Sequence, residues 1–122
     1  MHNIKLSDVS YSEKVLTQAV LQITQMLGLY HAELARILHL QCADIAELSN
    51  ANNVISKKSV AWIEAEKYIS LYECLYLSHD GQEAQINNWL RKKNKNLQAI
   101  PLYLMVDELR IDDVLDVARI ND

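Results

Sequence analysis

The sequence contains few residues that break helices or cross-link chains. Only two glycines, one proline and two cysteines occur among 122 residues, and phenylalanine is absent. So few turn-forming residues exclude an all-β fold built from many hairpins. No apolar run approaches the roughly 20 residues that a membrane span needs, and the N-terminus carries no signal-peptide pattern. We therefore predict a cytoplasmic protein with no membrane contact.

The cysteines and charged residues restrict the chemistry further. Cys42 and Cys74 lie far apart within helical patterns, which favours two buried, reduced thiols over a disulfide. The sequence has no CxxC pair, Cys/His cluster, glycine-rich phosphate loop or nucleophile elbow, so we predict no metal, no cofactor and no enzymatic activity. The net charge of −4 excludes a broadly basic nucleic-acid-binding surface, but it permits a small basic patch.

Apolar residues recur at intervals of three and four along nearly the whole chain, as on one face of a helix. This spacing predicts an all-α fold of about six or seven helices. Ser10 and Asp80, each followed by a glutamate three residues later, predict two helix starts, and Gly28 predicts a helix end. The helix predicted over 57–77 is apolar on more than one side, which implies either a central position or a dimer contact.

A further helix is predicted to begin at Pro101 and to include Leu109, and the last helix follows it. The run of cations from Arg91 to Lys95 ends the helix that carries Trp89. Such a run complements the helix dipole at a solvated end, and the alternative is a patch that contacts phosphates.

The segment from residue 31 to residue 48 has the pattern of a helix-turn-helix, with helices predicted over about 31–38 and 42–48. Ala35 provides the small residue that the first helix needs where the second crosses it. His39 stands at the turn position that glycine often fills, which implies strained backbone. The apolar residues around the turn and inside the two helices are Leu34, Leu38, Leu40, Ile45 and Leu48.

The second helix of this motif would be the one that contacts DNA. The predicted DNA-binding residues are Arg36, Gln41, Ala43, Asp44, Glu47, Lys57 and Lys58. This helix carries two acids and no base, which opposes binding to phosphates, so a helical hairpin without DNA contact is the alternative interpretation. Helix-turn-helix proteins usually bind paired half-sites through a two-fold axis, and we therefore predict a homodimer.

An ordered set of residues in the second half resembles a known family. The set comprises Leu71-Tyr72, Leu75, Asp80 to Glu83, Trp89-Leu90-Arg91, Asn94, Asn96-Leu97, Pro101-Leu102 and Leu104. Behind a helix-turn-helix, this order resembles the Xre/MbcA/ParS antitoxins over roughly residues 12–121. The resemblance implies an Xre-like helix-turn-helix bundle over 12–66, followed by a small helical toxin-binding domain over 67–122.

The chain departs from the family pattern in two places. Gln98-Ala99 stands where the family often has glycines before its proline, which would alter a loop near the toxin. The segment Val106 to Arg110 replaces a turn that ends in glycine, a change that would lengthen a helix.

The resemblance implies an antitoxin that binds and neutralises a RES-type, NAD-consuming toxin and represses its own operon by binding operator DNA. The residues it places at the toxin interface are Trp89, Arg91, Asn94, Asn96, Leu97 and Pro101. We add Asp112, Asp113 and Asp116, because a cleft that binds a dinucleotide pyrophosphate should be cationic and attract carboxylates. The alternative for these acids is that they only favour the helix dipole or form a solvated face. The alternatives are a stand-alone transcriptional regulator and an orphan interaction protein without DNA binding.

Overall fold

A computed structural model of the chain describes residues 12–120 as a sequence of helices. These are α1 (Glu13–Leu27), α2 (His31–Leu38), α3 (Cys42–Ser49), α4 (Val60–Ser78), α5 (Glu83–Arg91), α6 (Pro101–Val106) and α7 (Ile111–Ile120). Within this range no strand forms, and a single isolated bridge joins Asn94 to Ala99. The predicted all-α fold is confirmed. Over the same residues, no helix has both the length and the apolar character that crossing a bilayer requires.

Local signals explain the boundaries of the first helices. The Ser12 hydroxyl accepts a hydrogen bond from the Val15 amide at the start of α1, while the predicted start at Ser10 lies outside the described residues. At the other end of α1, Gly28 has the left-handed φ of 67°. The Gly28 and Leu29 amides donate to the carbonyls of Gln25 and Thr24, so the predicted helix end at Gly28 is confirmed.

Two predicted features of the second half are wrong in detail. Asp80 does not begin a helix, because it has φ 51° and α5 starts only after Gln82. Gly81 follows with φ 71°, and its amide donates to the Tyr76 carbonyl, so two left-handed residues connect α4 to α5. Leu109 also has a left-handed φ and is outside α6, which ends at Val106 instead of being lengthened.

The long helix α4 lies at the centre of the molecule. It packs against α1 and α2, and also against α5 and α7. Its buried residues include Tyr68, Ile69, Leu71 and Leu75. The central position explains why α4 is apolar on more than one side.

A single cluster of buried side chains runs through both halves of the described chain. The boundary predicted between residues 66 and 67 falls inside α4, so the two predicted domains share this helix.

The cysteines are partly as predicted. Neither Cys42 nor Cys74 forms a disulfide. The prediction that both thiols are buried is wrong, because Cys42 is exposed as the first residue of α3 and Cys74 is only partly covered.

Candidate functional site

The helices α2 and α3 pack against each other across a tight turn. His39 ends α2 with φ 61° and ψ 40°, the left-handed conformation that glycine adopts most easily. The His39 amide donates to the Arg36 carbonyl at 3.2 Å, and the Leu40 amide donates to the Ala35 carbonyl at 2.8 Å. The apolar side chains predicted to face inward from the two helices are buried, as is Ala35; they are Leu34, Leu38, Ile45 and Leu48. The two short helices and the tight turn between them are the parts that the predicted helix-turn-helix requires.

The outer face of α3 is uncovered. Ile45 and Leu48 are its only buried side chains. The four residues predicted on this helix and just before it (Gln41, Ala43, Asp44 and Glu47) are all exposed. Among the residues that the structure describes, this face of α3 is therefore open to solvent.

The two acids of α3 contribute to local structure. The Asp44 carboxylate accepts a hydrogen bond from the backbone amide of Gln41 at 2.9 Å, which satisfies a free backbone donor at the start of the helix. The Glu47 carboxylate accepts a hydrogen bond from the Asn52 side chain at 3.2 Å. Asp44 is thus explained by capping, and Glu47 by a link to the loop that follows α3.

The predicted cations do not gather on α3. The Arg36 guanidinium donates to the backbone carbonyls of Val106 and Asp107, at 3.0 and 3.3 Å. It therefore satisfies the C-terminal end of α6 and joins α2 to the second half of the chain. The Lys57 ammonium lies 5.8 Å from the centre of the Trp62 ring. Lys58 is exposed.

Two residues predicted to bind a toxin make hydrogen bonds inside the molecule. The Arg91 guanidinium donates to the Leu27 carbonyl at 2.8 Å and to the Asn87 side chain at 2.7 Å, so it connects α5 to the end of α1. The Asn94 side chain accepts from the amides of Asn96 and Leu97, at 2.8 and 3.1 Å, and so shapes the loop before α6.

The remaining residues of that set differ in exposure. Pro101 is buried as the first residue of α6, and Leu97 packs against the core. Asn96 is exposed, and Trp89 is half-buried, with part of its side chain against the core. Asn96 and Trp89 are therefore the members of the set with side chains that a partner can reach without disturbing the fold.

The predicted acidic surface at the C-terminal end is partly neutralised. Lys67 lies 3.0 Å from the Asp112 carboxylate and 3.2 Å from that of Glu64, and hydrogen bonding to Asp112 is the main cause that raises the pKa of Lys67. The Asp113 carboxylate accepts from Arg110 at 2.7 Å. Asp116 is exposed and pairs with no other residue of the range 12–120.

The described residues show no group of three or more histidine, cysteine, aspartate or glutamate side chains that could hold a metal ion. Comparison of the sequence with known protein families and with curated proteins found no match.

Proposed function

We propose that this chain is an antitoxin whose front half binds operator DNA and whose second half binds and neutralises a toxin encoded beside it. The observation that carries the proposal is the packing of α2 and α3 across a tight turn, with the side chains on the outer face of α3 exposed. The order of residues in the second half, which resembles Xre/MbcA/ParS antitoxins, supports the toxin-binding part and a RES-type partner. We further propose that the chain acts in the cytoplasm as a homodimer and has no catalytic role.

The charge of the front half sets the strength of the proposed DNA contact. Residues 12–59 carry equal numbers of basic and acidic side chains: Lys14, Arg36, Lys57 and Lys58 against Glu13, Glu33, Asp44 and Glu47. Since phosphate neutralisation supplies much of the affinity for DNA, one chain alone should bind weakly. Two chains on paired half-sites would double the contacts, which is why the proposal includes a homodimer.

Two substitutions test the DNA-binding half. Glu47→Gln removes a carboxylate from the exposed face of α3, and at about 7 Å from a phosphate this should tighten binding about threefold. Lys58→Gln should weaken binding and reduce the slope of log affinity against log salt by about 0.9 per bound chain. Fluorescence anisotropy of labelled DNA from upstream of the gene measures the affinity at about 50 and 200 mM salt, a range over which phosphate contacts change the affinity strongly.

Glu66→Gln is the matched control for the first substitution, because Glu66 is an exposed acid on α4. It should leave the affinity for DNA unchanged. Affinity independent of salt, or the same response to Glu47→Gln and Glu66→Gln, would contradict DNA binding through α3 and would favour the orphan interaction protein.

The toxin-binding half is tested at Asp116, which has no ion pair to lose with any residue between 12 and 120. Charge reversal by Asp116→Lys should weaken binding of the toxin from the adjacent gene about tenfold, because like charges would then meet at a cationic cleft. Co-expression with that toxin, scored by growth rescue and co-purification, provides the measurement. Glu66→Lys is the control and should rescue growth fully. Full rescue by Asp116→Lys would remove Asp116 from the interface, and an adjacent gene without toxicity would overturn the antitoxin proposal.

A further inference from the structure

An open groove of about 360 Å³ lies where α4 and α5 end, on the second half of the chain. One face of α5 forms much of its wall, because Gln85, Asn88 and Trp89 follow the helical spacing of three and four. Lys92 lies just past the end of the helix, where the backbone is extended, and also lines the groove. His79, Lys93 and Asn94 complete the lining. The groove thus combines one indole, two ammonium groups and several amides within a small volume.

Most of the polar groups in the groove have no partner among residues 12–120. The side chains of Gln85, Asn88, Lys92 and Lys93 are exposed and make no hydrogen bond or ion pair with any residue described here. The His79 ring is oriented, because its Nδ1 is 2.8 Å from the Leu75 carbonyl, which can only accept. Nδ1 therefore carries a hydrogen, and Nε2 is left for a ligand. These groups remain available to bind a molecule that has both acceptors and donors.

We propose that this groove binds a nucleoside phosphate, with its base against the Trp89 ring and its phosphate on Lys92 and Lys93. An indole offers a flat apolar surface on which a base stacks, and paired ammonium groups supply the charge that a phosphate requires. The amides of Gln85 and Asn88 lie along the same helix face and can pair with the edge of the base. The proposal goes beyond the antitoxin function and does not depend on it.

The helix ends beside the groove limit how tightly a phosphate alone can bind. Both α4 and α5 end there, and each C-terminus carries a partial charge of about −0.5. Together they offset about one of the two lysine charges, which leaves about one net positive charge. Phosphate should therefore bind weakly without the contribution of stacking. This requirement for both contacts distinguishes the proposed site from a solvated helix end.

Calorimetric titration of the full chain with AMP, adenosine and inorganic phosphate tests the site. We expect AMP to bind at least tenfold more tightly than either adenosine or phosphate. In the Trp62→Phe variant, Trp89 is the sole tryptophan of the chain, and AMP should quench its fluorescence.

A 5′-phosphorylated trinucleotide carries the same chemistry on a strand end. Whichever of AMP and the trinucleotide binds more tightly identifies the natural source of the ligand, and either preference supports the site.

Matched variants separate the site from general charge effects. Lys92→Gln with Lys93→Gln should weaken AMP binding about tenfold or more, and Trp89→Leu should weaken it about tenfold through lost stacking. Lys14→Gln with Lys95→Gln removes the same charge from two exposed lysines that do not line the groove, and should change the affinity less than twofold. Failure of AMP to bind, equal binding of phosphate and AMP, or an equal loss in the control pair would each overturn the proposal.

Discussion

Replacing Ile69 by alanine is expected to lower the free energy of unfolding by about 3 kcal/mol and to shift the unfolding of both halves of the chain together. Ile69 is 1% exposed and lies on α4, the helix that packs against α1, α2, α5 and α7. Truncating it removes apolar contact from a core that the two halves share. Since domains of this size are stable by only about 5–15 kcal/mol, the loss is large.

The positions of the two tryptophans allow each half to be followed separately. Trp62 lies in the range 12–66 and Trp89 in the range 67–122. Urea unfolding of the Trp89→Phe and Trp62→Phe variants, monitored by fluorescence, therefore reports on one half at a time. We expect coincident transitions in both variants and the same shift when Ile69→Ala is added.

The control for this experiment lies on the same helix. Ile63 is 52% exposed, so Ile63→Ala should change the free energy of unfolding by less than about 1 kcal/mol. Different unfolding midpoints for the two tryptophan variants that retain Ile69 would show that residues 12–66 and 67–122 unfold independently. Loss of stability in only one half after Ile69→Ala would show the same.

Stability is also expected to fall steeply above pH 10 because of Tyr68. This side chain is 1% exposed, and burial raises the pKa of its phenol above the usual range. The Thr24 hydroxyl donates to the Val20 carbonyl at 2.7 Å, so in the 2.9 Å contact between Thr24 and Tyr68 the phenol must be the donor. Ionisation of Tyr68 in the folded state would remove that donor and bury a charge.

The direction in which pH changes the free energy of unfolding follows from the difference between the folded-state and unfolded-state pKa of Tyr68. The folded-state pKa of Tyr68 is above the unfolded value of about 10, so its contribution is fully present below pH 10 and is lost as the pH rises towards the folded-state pKa. The loss between pH 10 and pH 11 should be about 1 kcal/mol. Urea unfolding of the chain at intervals between pH 8 and pH 11 measures it.

Tyr68→Phe isolates this contribution from those of the other tyrosines. At neutral pH it should cost about 1 kcal/mol through the lost hydrogen bond, and its curve should converge with that of the unsubstituted chain near pH 11. Tyr103→Phe is the control, because Tyr103 is 53% exposed, and its curve should run parallel to the unsubstituted one. Parallel curves for Tyr68→Phe would contradict ionisation-linked destabilisation at this residue.

The first three helices were the most predictable part of the fold. The stop at Gly28 and the apolar spacing around Ala35 depend on residues only a few positions apart, and the structure bears out both. The start at Asp80 was not predictable from the same kind of signal. The Asp-x-x-Glu pattern is present, but Asp80 lies in the left-handed connection between α4 and α5, where the Gly81 amide donates to the Tyr76 carbonyl at the end of α4.

The roles of the arginines could not be read from their neighbours in the chain. Arg36 binds carbonyls 70 and 71 residues away, and Arg91 binds one 64 residues away. Periodicity assigns each of them only to a helix face. Which distant helix end lies within reach of a guanidinium depends on how the helices pack.

The amino-acid order alone specified a helical chain with two short helices joined by a tight turn near its start, because helix periodicity, caps and stops act over three to seven residues. The tertiary structure decided that α4 is shared by both halves, that Arg36 and Arg91 bind distant backbone carbonyls, and that His79 and Lys93 join one face of α5 around a groove. These arrangements depend on contacts between residues far apart in the chain, which only the packing of the helices brings together.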